Sequence, residues 1–482
     1  MGFNWLDGSI VIAYLVAITL YGIHFRKKQQ SVHTYFLGGK TTPAWALSLS
    51  IVATETSTFT VISTPGIAFA GNMSFLQLTI GYMVGRVVVC LVLIPAYFKR
   101  EMYTAYELMQ RRFGPTTKHA TASMFLITRA MADGVRMFAV AIVVGLVLGF
   151  GDIWSIIIIF ILTLIYTFEG GLTAVIWTDV IQLFIYLGCT LVAFFVILGL
   201  IPNGWEGVIA AAGSKLAIWD FRLDFSIPYT FWGGVIGGAF LNIASHGVDQ
   251  LIVQRLLAAK NERDSKVALL SSGVIIFLQF ALFLLVGVML FSYFSYHPGQ
   301  VPPAERDKIF PAFILTYLPH GIRGLMVAAI LAAAMSTLSS SLNSLASTTV
   351  VDFLGPFFGK NIDAQNRLRM SRWITAGWAV ILLIPAILSR GVKSVLEVGL
   401  TISSITYGSM LGVFLLGLLT KKANEKGAIS GMAVGLASML SIWYFGTIAF
   451  TWYVLIGSVI TFTTGYAVSL YFSRRSAVDR PH

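Results

Sequence analysis

Residues 329–348 read AILAAAMSTLSSSLNSLAST. The segment opens as a plain apolar helix and then fills with hydroxyls. Residues three or four apart share a helix face, so Ser336, Ser339, Ser340, Asn343 and Ser347 form one stripe, with Thr337, Ser341, Ser344 and Thr348 beside it. One or two such serines would only bond back to carbonyls a turn earlier and let a neighbouring helix pack close. Eight hydroxyls and one asparagine between 336 and 348 exceed that need. A hard cation such as sodium takes about five or six oxygen ligands, and neutral hydroxyls and carbonyls bind it without trapping it. A broken helix adds free carbonyls, and ATETSTFT at 53–60 is such an interruption.

The surroundings of this segment are apolar. Of 482 residues, 57% are hydrophobic and 11% charged, against about 25% charged in ordinary soluble proteins. Apolar runs of about 20 residues, the length that crosses a bilayer as a helix, recur throughout. The expectation is an all-α polytopic membrane protein. Hydropathy, with Gly, Pro and charge as punctuation, gives thirteen candidate spans: 5–25, 43–70, 74–98, 116–150, 152–168, 172–200, 228–257, 265–296, 308–355, 372–390, 394–419, 427–446 and 449–473. Spans 4 and 9 exceed one crossing and are expected to tilt, bend or run on into water. Cys90 and Cys189 both lie in apolar runs and suggest no disulfide framework. There is no positive leader before the first apolar run, no Gly-rich phosphate loop and no zinc-type Cys/His spacing.

The net charge of +12 invites a nucleic-acid reading, but its placement follows topology. With thirteen spans, 23 of the 33 Lys and Arg fall on one side: residues 26–40, 99–118, 255–266, 360–372, 421–426 and 474–480. Seven fall on the other, and Arg86, Arg129 and Arg136 lie inside spans. The positive-inside rule then puts the N-terminus outside and the C-terminus in the cytoplasm. Spans 2 and 7 are both interrupted by small and polar residues, the latter through GGVIGGAFLNIASHG at 233–247. Lying five spans apart, they enter from opposite sides, as two inverted repeats would that each open with a broken helix; close helix packing is the simpler alternative.

At this point the chain resembles a known family. AAAMSTLSSSLNS (332–344) looks like the signature of the sodium:solute symporters, whose members carry glucose, proline, pantothenate or sialic acid. EGGLTAVIWTDVIQ (169–182), GVDQLIVQRLL (247–257), GVFLLGLLTKKANEKGA (412–428) and YFLGGKTTPAWALSLSIVATETS (35–57) are similar to its sixth, seventh and eleventh spans and to the entry of its second. The resemblance implies a LeuT-type core of inverted five-helix repeats within about 13 transmembrane helices. Its parts would be an extra helix at 1–42, repeats at 43–201 and 202–422, and two C-terminal helices and a tail at 423–482. It implies a main sodium site from Ala53, Thr56, Ala333, Ser336 and Thr337. A second, present in some members, would use Asp179, Ser336, Ser339 and Ser340. One or two Na+ are therefore expected; Asp179 as a structural acid is the alternative. The chain is expected to be a monomer in a lipid bilayer, in the bacterial inner membrane, with no nucleic-acid partner.

The resemblance places solute at the midplane. Candidates are Glu55, Ser57 and Thr60 in the span 2 interruption, Phe75, Gln77 and Thr79 on span 3, and Ser245 and His246 in span 7. Gln279 on span 8 and Ser403 and Ser404 on span 11 complete the set. Arg136, in MADGVRMFAV (131–140), bears on solute class. An intramembrane Arg must be paired or face water or an anion. Asp133 one turn earlier offers a structural pair, whereas a two-pronged contact to a solute carboxylate is the functional reading. The segment resembles an element of members that carry carboxylated solutes. The expected function is sodium-coupled import of a small carboxylated solute such as a sialic acid, by alternating access. A sodium/sugar symporter is the runner-up. A membrane enzyme would need a convergent acid–base cluster and a channel a filter; neither is evident.

Overall fold

A computed structural model describes residues 4–148, 152–355, 363–389 and 395–478, and these are helical almost throughout. Among the described residues, nine helices are long and apolar enough to cross a membrane, and a bent pair makes a tenth. Lys360, Arg390, Lys393 and Arg480, counted among the charges above, lie outside the described residues.

The polar interruptions decide where helices break. Span 2 splits into Ala44–Glu55 and Thr58–Ala70, bent by 59°. Thr56 and Ser57 between them have extended ψ angles of 98° and 174°, so the carbonyls closing the first half have no donors one turn on. Span 7 opens as a wide turn at Trp232–Gly237, continues as Gly238–Gly247 and restarts as Gln250–Leu257. Asp249 caps the restart, accepting from the Leu251 N–H at 2.8 Å. Spans 5 and 6 form one element, Asp152–Leu200, interrupted at Gly171 with φ 55°. A Cβ there would lie 2.6 Å from the Tyr35 carbonyl oxygen, so only glycine fits.

The long spans 4 and 9 resolve differently. Span 4 is a single helix, Pro115–Leu148. Its first turn donates Thr116 and Thr117 N–H to Glu425 at 2.9 and 3.2 Å, a carboxylate where the helix dipole favours one. The stretch expected as span 9 is two helices, Arg306–Tyr317 and Ile322–Thr348, separated at Gly321 with φ 87°. The second runs on as a wide turn, Thr349–Leu354. Ile322–Thr348 is buried at nearly every position, which makes it the central helix of the molecule. Span 1, Trp5–His24, packs against it and against span 6, and Asp7 accepts from the Gly321 and Gly324 N–H groups at 2.8 and 3.1 Å. Spans 3 and 7 touch backbone to backbone, since a Cβ on Gly81 would lie 2.5 Å from the Gly234 oxygen.

Candidate functional site

The serine stripe of span 9 faces the first half of span 2 and span 6. Ser336 Oγ lies 2.6 Å from Asp179 Oδ1 and 3.2 Å from the Ala53 carbonyl oxygen. That carbonyl belongs to the broken end of the half-helix, where partial negative charge collects. Thr337 Oγ1 bonds back to the Ala333 carbonyl at 3.1 Å. Thr56 Oγ1 donates to the Val52 carbonyl at 2.7 Å and accepts from Gln279 Nε2 at 2.6 Å. Ala53, Thr56, Ala333, Ser336 and Thr337 are all buried, and the Ala53–Ser336 contact joins the two elements that carry them.

Of the other sodium candidates, Ser336 touches Asp179 directly, Ser340 reaches the same cluster, and Ser339 turns to the Ser336 carbonyl at 3.0 Å. A further cation stands there. Arg255 Nη2 lies 2.9 Å from Asp179 Oδ2, Arg255 Nε 2.8 Å from Ser50 Oγ, and Nη2 also bonds Ser340. Ser50 donates to Asp179 at 2.6 Å, and Thr54 lies 3.4 Å from Asp179 and 3.2 Å from Ser340. Arg255 and Asp179 are both 0% exposed. Arg255 was grouped above with the cytoplasmic loop charges; the structure instead buries it, because every residue of Gln250–Leu257 packs inside. Gln254 beside it bridges the Phe36 carbonyl at 2.7 Å and Asn343 at 2.9 Å.

On the other side of the span 2 break lies a cavity. Glu55, Ser57, Thr60, Phe75, Arg136, Ser245, His246 and Ser403 line it. Gln77, Thr79, Gln279 and Ser404 do not. Gln77 ties span 3 to the Tyr229 carbonyl at 2.9 Å, and Thr79 and Ser404 bond back within their own helices at 2.8 and 2.7 Å. Gln279 acts behind the wall by holding Thr56. Phe75 stacks on Phe280 with ring centres 5.1 Å apart, giving the cavity an aromatic wall.

Two ion-pair groups border the cavity. Glu55 pairs with Arg86, whose Nη2 is 3.2 Å from His246 Nε2, and His246 Nε2 lies 3.3 Å from Glu55 Oε2. Ser245 Oγ and Asn242 Nδ2 hold the other ring nitrogen at 2.8 and 3.0 Å. In the second group Arg129 Nη2 contacts Asp249 at 3.1 Å and the Tyr407 hydroxyl at 2.9 Å, and that hydroxyl also bonds Asp249. Arg136 Nη1 is 3.2 Å from Asp133, so the pair expected from their spacing is formed. Arg136 stays 17% exposed, against 2% for Arg129. Among the described residues, its Nη2 has no hydrogen bond.

The partners Arg86, Arg129, Asp249, Arg255, Ser50 and Tyr407 were not among the residues expected at the sites. Arg86 and Arg129 did carry a signal, an arginine inside an apolar span, which demands a partner.

A family model described as the sodium:solute symporter family matches residues 35–435. The sodium/sialic acid symporter SiaT of Proteus mirabilis (strain HI4320) is 28% identical over 484 residues, covering 98% of this chain and 96% of that protein. The human sodium-coupled monocarboxylate transporter 2 is 30% identical over 441 residues, 88% of this chain and 69% of that one. A solved structure of a Na+-coupled sialic acid symporter, in its substrate-bound outward-open state, superposes with a TM-score of 0.89 at 27% identity. It covers 97% of this chain and 98% of that one. The resemblance read from the serine stripe is thus borne out in family and in LeuT-type fold. This chain belongs to the sodium:solute symporter family, as a multi-pass membrane transporter that couples solute to sodium and not as an enzyme.

Proposed function

We propose that this chain imports a carboxylated organic solute, a sialic acid or another organic acid, together with sodium by alternating access. The supporting observation is Arg136. It is the most open arginine of the cavity, one guanidinium nitrogen is held by Asp133, and Nη2 is left for a ligand. Arg129, which bonds Asp249 and Tyr407 through Nη2, is 2% exposed and offers less surface to a ligand than Arg136 at 17%. The charges around the cavity also balance: Arg86, Arg129 and Arg136 against Glu55, Asp133 and Asp249. A bound carboxylate adds one negative charge to a neutral, low-dielectric site. A sodium ion nearby compensates it, so each ligand strengthens the other's binding, and that reciprocity is coupling.

The sodium would sit where Ser336 meets the broken end of span 2, with Ala53, Thr56, Ala333 and Thr337 completing its shell. Holding the two halves of the molecule together there favours the state that accepts solute; sodium leaves to the cytoplasm and solute follows. Residues 43–201 and 202–422 are read as the inverted repeats, supported by matching breaks in spans 2 and 7. The protein is placed as a monomer in the lipid bilayer of the inner membrane, N-terminus outside and C-terminus in the cytoplasm.

The test is binding of N-acetylneuraminic acid and of its methyl ester to the parent and to Arg136→Lys, in sodium. Lysine keeps the charge but loses the planar fork. The acid should bind the parent more tightly than the ester, and Arg136→Lys should weaken the acid by about 1.5–3 kcal/mol, roughly 10- to 150-fold. Equal binding of both forms by the parent would remove the carboxylate contact and favour a neutral sugar.

A further inference from the structure

The cavity holds an acceptor that no described residue uses. Glu55 ends the first half of span 2 and is 14% exposed. Its contacts with Arg86 and His246 both fall on Oε2. Among the described residues, no hydrogen bond reaches Oε1, although an ionised carboxylate has room for about four. The carboxylate is not free to turn away. Arg86 behind it is 1% exposed and is held in turn by Ser272 at 3.3 Å, so moving Glu55 would strand a buried guanidinium. His246 is fixed from its far side by Ser245 and Asn242. Oε1 is therefore a positioned acceptor on the wall of the solute cavity.

We propose that Glu55 is a specificity determinant: among carboxylated solutes it selects those that also carry a hydroxyl or ammonium donor, against plain monocarboxylates. This rests on the carboxylate reading of Arg136. A solute that displaces water from Oε1 without replacing its hydrogen bond leaves a carboxylate oxygen unpaired, and sites built this way reject analogues lacking the donor. Arg86 and His246 are positioning residues. They hold Glu55 in place through Oε2.

The experiment measures binding of N-acetylneuraminic acid and of propionate to the parent, to Glu55→Gln, and to the charge-balanced double variant Glu55→Gln/Arg86→Met. The double variant covers the case in which the single one strands Arg86 and fails to fold. The parent should prefer the hydroxylated acid by at least about tenfold. Both variants should lose that preference through weaker binding of the hydroxylated acid, with propionate unchanged. Equal loss for both acids, or no loss for either, would overturn the proposal. A parent that binds propionate as well as the hydroxylated acid would overturn it while leaving Arg136 in place. Failure of the Arg136 reading is distinct, because it shows in the acid-against-ester comparison.

Discussion

Span 2 carries two charge clusters that differ in one respect, whether their atoms are used up. Beside its first half, Asp179 receives donors from Ser50, Thr54, Ser336 and Arg255, and Arg255 spends all three nitrogens on Ser50, Leu251, Asp179 and Ser340. Around the cavity, Arg86 Nη1, Arg129 Nε and Nη1, Arg136 Nε, Asp133 Oδ2 and Asn242 Oδ1 have no hydrogen-bond partner among the described residues. The Asp179–Arg255 pair, with its atoms used up, serves to join helices. A cluster with spare atoms is costly unless something else completes it. The contrast accords with the proposal that solute is recognised in the cavity. The Asp179 side is a node that ties span 2, span 6, span 7 and the serine stripe together, with Arg255 paired to Asp179.

The largest effect should come from the closed cluster. Asp179→Asn leaves Arg255 as an uncompensated charge inside the protein, which costs about 3–5 kcal/mol. Thermal unfolding should fall well below the parent, and the double variant Asp179→Asn/Arg255→Met should recover much of the loss. A single variant as stable as the parent would break the comparison, because Asp179 would then behave as an open ligand and not as half of an ion pair. Arg136→Lys comes next and should act on affinity for the acid with little effect on unfolding.

A smaller effect separates two neighbours on the stripe. Ser336 contacts both Asp179 and the Ala53 carbonyl, whereas the Ser341 hydroxyl, equally buried, has no partner among the described residues. Ser336→Ala should raise the sodium concentration for half-saturation by roughly tenfold, about 1.4 kcal/mol. Ser341→Ala should stay within about 0.5 kcal/mol. Equal shifts in the two sodium titrations would mean the stripe acts by helix packing alone.

Helices and the serine stripe were legible because their signals are local. Hydropathy, Gly and Pro punctuation and a three-to-four residue spacing need only a window of one span. The breaks at Thr56 and near Val248 were legible for the same reason. The ion-pair partners were not. Glu55 and Arg86 are 31 residues apart, Arg255 and Asp179 76, Arg129 and Asp249 120, and Arg86 and His246 160. No periodicity links positions on different helices, and the partner of a buried charge is chosen by packing. Arg255 shows the cost of that blindness. At the end of an interrupted span it reads as one more cytoplasmic charge, and only the fold reveals that its helix is buried on all sides. Asp133 and Arg136 are the counterexample, a pair legible in advance because three residues separate them.

The central claim, sodium-driven uptake of an acid held at Arg136, is tested most directly by accumulation of labelled N-acetylneuraminic acid in proteoliposomes. An inward sodium gradient should drive uptake above the external concentration. An equal potassium gradient should not, and Arg136→Lys should slow uptake strongly at substrate levels that just saturate the parent. Uptake that never exceeds equilibrium, or that proceeds equally in potassium, would contradict it.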